Sequence, residues 1–308
     1  MSAHAQTSDV GHVSSPGTVE PCGPGSLSPR AGGWATWLST GLVPASLASG
    51  LLTFVVSDWV QGPAVSVGNA RGTALVVLVV AVPLLVAGLV LRSRGWLRGV
   101  LLWVGSVGYL LYNAQMVLFA TRLSRMFLCY VAMLSLSVWS AVAILAHTDV
   151  PQLHTHVTGW LPARSIAVFA WVVVALDALV WRKGIMPAAT SDEPGHQLQG
   201  SGATTNPVYV QDPARCLPLL TEAALWLWRR RPWGYLVVTS VMLLWTVENI
   251  SVASDQWFGS RADPTTAVAD SAMTPPFLVL AVVTLVPAVI LLRALRQPGP
   301  HVRRKDEP

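Results

Sequence analysis

Arg71 and Arg92 bracket twenty residues, Gly72 to Leu91, that carry no charge at all. A helix in water needs one wet face, and this stretch has none. At 1.5 Å per residue it matches the roughly 30 Å hydrocarbon core of a bilayer. Within lipid its backbone amides can only be satisfied inside the segment, which makes it a helix. Further runs of the same kind follow. Hydrophobic residues make up 53% of the 308 and charged ones 11%, too little polar surface for a soluble domain. The fold class read from this is all-α, a polytopic transmembrane helix bundle.

Windows of about 19 residues divide the chain into about eight spans, near 34–56, 72–91, 99–120, 127–146, 165–181, 213–228, 232–252 and 275–292. Residues 1–33, rich in Ser, Gly and Pro, lack the basic start and apolar core of a signal peptide and read as a disordered cytoplasmic tail. Residues 293–308 read as a basic cytoplasmic tail. The weakest span is 213–228, with Arg215 near its start, Pro218 inside it and Glu222 in its middle. Without it the chain beyond would flip and Arg229, Arg230 and Arg231 would face outward.

Eight spans leave both termini on one side, and basic residues choose which side that is. Arg30, Arg92, Arg94, Arg98, Arg164, Arg229, Arg230, Arg231, Arg293, Arg296, Arg303, Arg304 and Lys305 fall on the side of the termini, thirteen of the 20. Arg71, Arg122, Arg125, Arg182, Lys183, Arg215 and Arg261 fall opposite. The expectation is a multi-pass plasma-membrane protein with N and C termini in the cytoplasm. Trp34, Trp59, Trp96, Trp181, Trp228, Trp233 and Trp257 lie near proposed span ends, where an amphipathic ring suits the headgroup layer. Arg94 and Trp96 before a helix ending at Tyr112–Asn113 are echoed by Arg231 and Trp233 before one ending at Glu248–Asn249. A shift of about 137 residues would make two four-helix halves in parallel orientation.

The +5 net charge belongs to these short loops, so no nucleic-acid partner is expected; the partners are the bilayer and a second membrane protein. Cys22, Cys129 and Cys216 offer neither a disulfide framework nor a Cys-x-x-Cys pair. Lys183 and Lys305 lie in polar segments, which excludes a buried Schiff-base amine, and the seven histidines lie outside the spans or at their ends. A phosphate-binding Gly-x-x-x-x-Gly-Lys-Ser/Thr motif does not occur. No cofactor is expected. His154 and His156, with Asp149 nearby, form a His-x-His metal candidate without a cysteine or helical general base to complete it, so no metal is assigned.

Charges at bilayer depth cost at least about 2.5 kcal/mol each, so the intramembrane acids are where function is sought. Glu222 is the deepest. Asp177, Glu248, Arg215 and Asn113 would line an outward-facing polar vestibule above it, with Ser106, Tyr109 and Asn113 sharing one helix face. The competing reading pairs Arg215 with Asp177 or Glu248 and leaves Glu222 protonated, all in the service of helix packing.

Two stretches carry a resemblance. One is Leu97-Arg98-Gly99-Val100-Leu101-Leu102-Trp103-Val104-Gly105 continuing to Tyr109-Leu110-Leu111-Tyr112-Asn113; the other is Asn206-Pro207-Val208-Tyr209-Val210-Gln211-Asp212-Pro213 with Leu217-Pro218-Leu219 and Arg229-Arg230-Arg231-Pro232-Trp233-Gly234-Tyr235. Over Gly72 to Val252 the chain resembles an uncharacterised family of multi-pass membrane proteins from high-GC, actinobacteria-like bacteria, a resemblance that implies the topology and no activity. The first functional expectation is a non-enzymatic membrane partner or accessory subunit. The second is a small secondary transporter or proton-linked permease using the intramembrane acids. The third is a membrane-embedded enzyme acting on lipid, for which paired aspartates, a serine elbow and a metal set are all missing.

Overall fold

The computed structural model describes residues 29–190, 198 and 205–297, so the terminal-tail readings for 1–28 and 298–308 lie outside the described residues. Among the described residues eleven α-helices follow one another: α1 (Pro29–Val55), α2 (Ala64–Val76), α3 (Val82–Ser93), α4 (Leu97–Ala120), α5 (Phe127–His147), α6 (Val150–Thr155), α7 (Ala163–Thr190), α8 (Val208–Gln211), α9 (Leu217–Trp228), α10 (Pro232–Ala262) and α11 (Thr274–Ala294). Among the described residues there is no β-strand. A single antiparallel bridge joins Val157 to Leu295. Seven described stretches are long and apolar enough to cross a membrane: Gly33–Val55, Ala64–Ser93, Leu97–Ala120, Phe127–His147, Ala163–Pro187, Pro232–Ala262 and Ser271–Ala294. The stretch from Val208 to Trp228 is also unbroken helix, but Asp212, Arg215 and Glu222 leave it less apolar than the others.

Four helices clearly outrun the expected spans, α7 by running on from Trp181 to Thr190. α1 begins at Pro29 instead of Trp34, the second span begins at Ala64 instead of Gly72, and α10 continues ten residues beyond Val252. Hydropathy ends a segment where polar side chains begin, yet the helix continues because those side chains find partners. Thr73 donates to Asp255, Ser254 donates to the Gly72 carbonyl, and the Asn69 amide, turned to its bonding orientation, donates to the Asp255 carbonyl. Glycine makes this contact possible. A Cβ on Gly68 would stand 2.7 Å from the Phe258 carbonyl oxygen, and one on Gly72 would stand 2.7 Å from the Ser254 backbone. The spacing Gly68-x-x-x-Gly72 thus lets α2 lie backbone to backbone on α10.

The internal echo has a register, and it is 135 residues, not 137. α2 and α3 join through a π-helical segment at Val77–Ala81, and α8 and α9 join through another at Asp212–Cys216. Each is followed by a proline, Pro83 or Pro218, in the first turn of the next helix. α3 then ends in a left-handed residue, Gly95 (φ 80°), and α9 in Arg230 (φ 55°). Both turns close in the same way. Gly95 N–H bonds to Arg92 O and Trp96 N–H to Leu91 O; Arg230 N–H bonds to Leu227 O and Arg231 N–H to Trp226 O, all at 2.8–2.9 Å. This is the paired bonding of a Schellman cap. Beyond it, Gly99 and Gly234 each press against the backbone of the preceding helix, at residues 91–92 and 226–227.

Two buried cores match the two halves. One is built mainly from α1 through α5, around Leu42, Leu85, Trp103, Tyr109 and Tyr130, with Val247 of α10 joining it; the other mainly from α6, α7 and α9 through α11, around Leu153, Leu220, Tyr235, Met242 and Leu291, with Leu97 and Leu101 of α4 joining it. The halves meet chiefly through α10, which packs on α2 and on α4. α4 and α10 cross where Gly105 admits Leu243, whose Cβ lies 2.9 Å from where a Gly105 Cβ would be. At the opposite end, Thr158 N–H bonds to Ala294 O and Leu97 N–H to the Gln297 side chain, tying the link after α6 and the end of α11 to the start of α4.

Candidate functional site

Beyond the crossing, polar side chains from four helices converge. On α10, Glu248, Ser251 and Asp255 follow one another at spacings of three and four and so share a face. α4 supplies the opposite wall. Tyr109 lies 3.1 Å from the Ser251 hydroxyl, and Tyr112 donates to Asp212 at 3.1 Å. Asp212, only 6% exposed, opens the π-helical segment and also accepts from Trp181 of α7 at 3.1 Å. The Trp181 ring is itself held edge-on against Tyr209, with centroids 5.4 Å apart. Asp177, one turn before Trp181, acts electrostatically on Asp212. Glu248 lies within electrostatic reach of Asp255, Asp212 and both tyrosines.

These groups differ in how they are satisfied. Asp255 accepts twice from Thr73, at 2.8 and 2.9 Å, and Asp212 has its two ring donors. Arg215 gives its guanidinium to two amides, Gln115 at 2.5 Å and Gln211 at 2.7 Å. Asn113 is 4% exposed, and among the described residues no hydrogen bond reaches its amide or the Glu248 carboxyl. The two occupy equivalent places. Asn113 stands five residues past Gly108 as Glu248 stands five past Leu243, and the 135-residue register maps one pair onto the other. Both therefore lie about 24 Å along their helices from the Leu97 and Pro232 ends.

Glu222 stands apart from this cluster. It is exposed on α9 and lines an open groove of about 620 Å³ between α7 and α9, with Trp181, Arg182, Pro218 and Thr221 around it. Of the five residues singled out from sequence, Asp177 and Glu248 both lie within electrostatic reach of Asp212, Arg215 bonds to Gln115 and Gln211 beside it, Asn113 is buried on α4 next to Tyr112, and Glu222 faces away.

Asp212 and Asp255 join the cluster although both fall outside the expected spans 213–228 and 232–252. The spacing Glu248-x-x-Ser251-x-x-x-Asp255 was the available signal, since it continues a helical face past the point where hydropathy stops. For Asp212 the signal was the 135-residue register.

The histidines of the link do not converge. His147 Nδ1 lies 2.7 Å from Ala143 O and His156 Nδ1 3.2 Å from Gln152 O. Among the described residues no group of three or more His, Cys, Asp or Glu side chains could hold a metal ion. His154 shares a small pocket with Arg230 and Tyr235, and its pKa is lowered by burial and by the neighbouring Arg230 charge.

Neither a family model, nor a curated protein, nor a solved structure matches this chain.

Proposed function

We propose that the chain is a proton-linked carrier of a small solute, an eight-span plasma-membrane bundle with both termini in the cytoplasm. Two parallel four-helix halves would flank the translocation path. Proline-bearing segments at corresponding positions of two repeats mark the binding region in carriers of repeated architecture, and the π-helical turns Val77–Ala81 and Asp212–Cys216, each followed by Pro83 or Pro218, supply such a pair. The observation that carries the reading is the Glu248 carboxyl on α10, at the seam of the halves, which no hydrogen bond among the described residues satisfies while Asp212 and Asp255 near it are bonded. A carboxyl at that depth takes up a proton or a cation, because a bare carboxylate is too costly in a water-poor interior. A purely structural acid would be bonded in the manner of Asp212 and Asp255.

Everted membrane vesicles containing the full chain test this. A pH gradient is imposed and read by acridine orange quenching while cationic, anionic and neutral solutes are added in turn. At least one class should dissipate the gradient in wild-type vesicles and not in Glu248→Gln vesicles. Equal responses of the two to every class would remove the carrier reading. Cytoplasmic placement of the Arg230 turn is read by reporter fusion, and an external signal there would overturn the orientation.

A further inference from the structure

We propose that the pocket between the α6–α7 link and the α9–α10 turn binds a phosphate group through Arg230 and His154, a site independent of the carrier reading.

Arg230 is held in place at a cost. Its φ of 55° is one that residues with a side chain rarely adopt, and the equivalent turn of the first half uses Gly95, at φ 80°. Both turns close with the same pair of hydrogen bonds, so glycine would serve the backbone at position 230 equally well. A strained residue kept where its repeat has glycine directs attention to its side chain. Arg229 (φ −81°) and Arg231 (φ −76°) carry the same charge on relaxed backbone, so membrane orientation does not by itself call for a third arginine at the strained position.

That side chain lines a pocket of about 80 Å³ together with His154, walled by Val157, Leu161 and Leu227. The space suits one tetrahedral oxyanion, or two or three waters at about 30 Å³ each. Two hydroxyls on its wall are already spent. Tyr235 donates to the Leu291 carbonyl at 2.6 Å, and Thr158 donates to the Ala294 carbonyl at 2.9 Å. Among the described residues neither the Arg230 nor the His154 side chain makes a hydrogen bond or an ion pair.

The sign of the ligand follows from what is left over. Burial and the Arg230 charge both act to keep His154 neutral, and no carboxylate among the described residues counters them. Arg98, within electrostatic reach of Tyr235, adds a third positive charge, and its buried Nε has no partner. A cation would find no acid here. An anion would find the guanidinium fork and an imidazole N–H, which the histidine carries whether charged or neutral. The fork matches paired oxygens of a phosphate, which a spherical chloride does not offer. Depth points to the same group. Trp160, Trp228 and Trp233, adjacent in sequence to the pocket or its turn, are exposed, as indoles are in the headgroup layer where lipid phosphates lie. The phosphate there is either a lipid headgroup or a soluble phosphate.

Two measurements on the purified full-length protein separate these sources. In phosphatidylcholine nanodiscs, potassium phosphate is titrated against potassium chloride of matched ionic strength while the melting temperature is followed. In detergent, native mass spectrometry compares retention of phosphatidylglycerol with that of phosphatidylcholine. Wild type should be stabilised by phosphate beyond chloride, which identifies a soluble ligand, or should retain phosphatidylglycerol in preference, which identifies a headgroup. Arg230→Gly should weaken the binding that is seen about tenfold or more, and His154→Phe about fivefold. Because Arg230→Gly relieves strain and raises the ligand-free melting temperature, its loss of binding is not misfolding; Arg230→Asn, which also tolerates a left-handed backbone, should lose binding equally. Arg229→Gln removes a charge from the same turn outside the pocket and should bind as wild type does. Absence of both preferences in wild type overturns the proposal. So does binding that survives Arg230→Gly unchanged, or that falls as far in Arg229→Gln as in Arg230→Gly.

Discussion

Gly72→Ala puts the backbone contact between α2 and α10 to a quantitative test. The added methyl would meet Ser254 C at 2.7 Å and the Asp255 N and Cα at 2.8 Å. Ordinary contact begins near 3.4 Å, and all three atoms are backbone, so no side chain can rotate away. The helices must part by about 0.7 Å or more. Such overpacking costs about 1–3 kcal/mol. The same movement stretches the 3.0 Å bond from Ser254 to the Gly72 carbonyl and the pair from Thr73 to Asp255, at about 0.6 kcal/mol for each side-chain bond in a membrane protein. Against this, alanine gains about 1 kcal/mol over glycine within a helix. The net expectation is a loss of about 1–3 kcal/mol. Gly108→Ala supplies the control, because its methyl would meet only the Leu244 side chain, at 3.6 Å, and should leave stability unchanged or raised. Unfolding of the purified protein in mixed micelles by added dodecyl sulfate, followed by tryptophan fluorescence, reads both. A Gly72→Ala protein as stable as wild type would refute the close approach of α2 and α10.

Arg230→Gly should raise the melting temperature at pH 7.5, since a left-handed φ of 55° costs a non-glycine residue about 1 kcal/mol and its counterpart is already Gly95. It also removes the charge that helps hold the His154 pKa below its ordinary value. With that pKa lowered, the unfolded chain takes up the proton first, so stability falls as pH drops below about 6.5. The fall between pH 7.5 and 5.5 should be smaller in Arg230→Gly; a lower melting temperature than wild type at pH 7.5 would contradict the strain argument. Trp181→Phe and Tyr112→Phe should each destabilise by about 0.5–1.5 kcal/mol, because each strips one donor from buried Asp212. Their double mutant should show a coupling of at least about 0.5 kcal/mol in the same unfolding assay, and strict additivity would mean that Asp212 is not the shared acceptor.

The sequence made the helices legible because charge-free runs leave lipid-spanning helix as their only outcome. It concealed their ends. Asn69, Ser254 and Asp255 look like loop residues one at a time, yet they are helical where each is bonded across the α2–α10 contact. The duplication was audible in Arg94 and Trp96, but aligning tryptophan with tryptophan misplaced it by two residues. Backbone features set the true register: the π-helical segments, Pro83 with Pro218, and Gly99 with Gly234. Most of the polar cluster could be named from depth and residue type. Glu222 could not be placed in this way, since depth along a helix says nothing about which side of it a residue occupies.

The carrier proposal rests most directly on Glu248, and the Asn113 position that the 135-residue register pairs with it, being reached from the outer side of a bundle whose Arg230 turn lies inside. Single cysteines at 113, 248 and 230, introduced after Cys22, Cys129 and Cys216 are changed to serine, can be probed with a membrane-impermeant methanethiosulfonate on intact cells and on everted vesicles. Cysteines at 113 and 248 should react from the outside at similar rates, and that at 230 from the inside alone. Reaction of position 113 or 248 only from the inside, or of position 230 from the outside, would contradict the account.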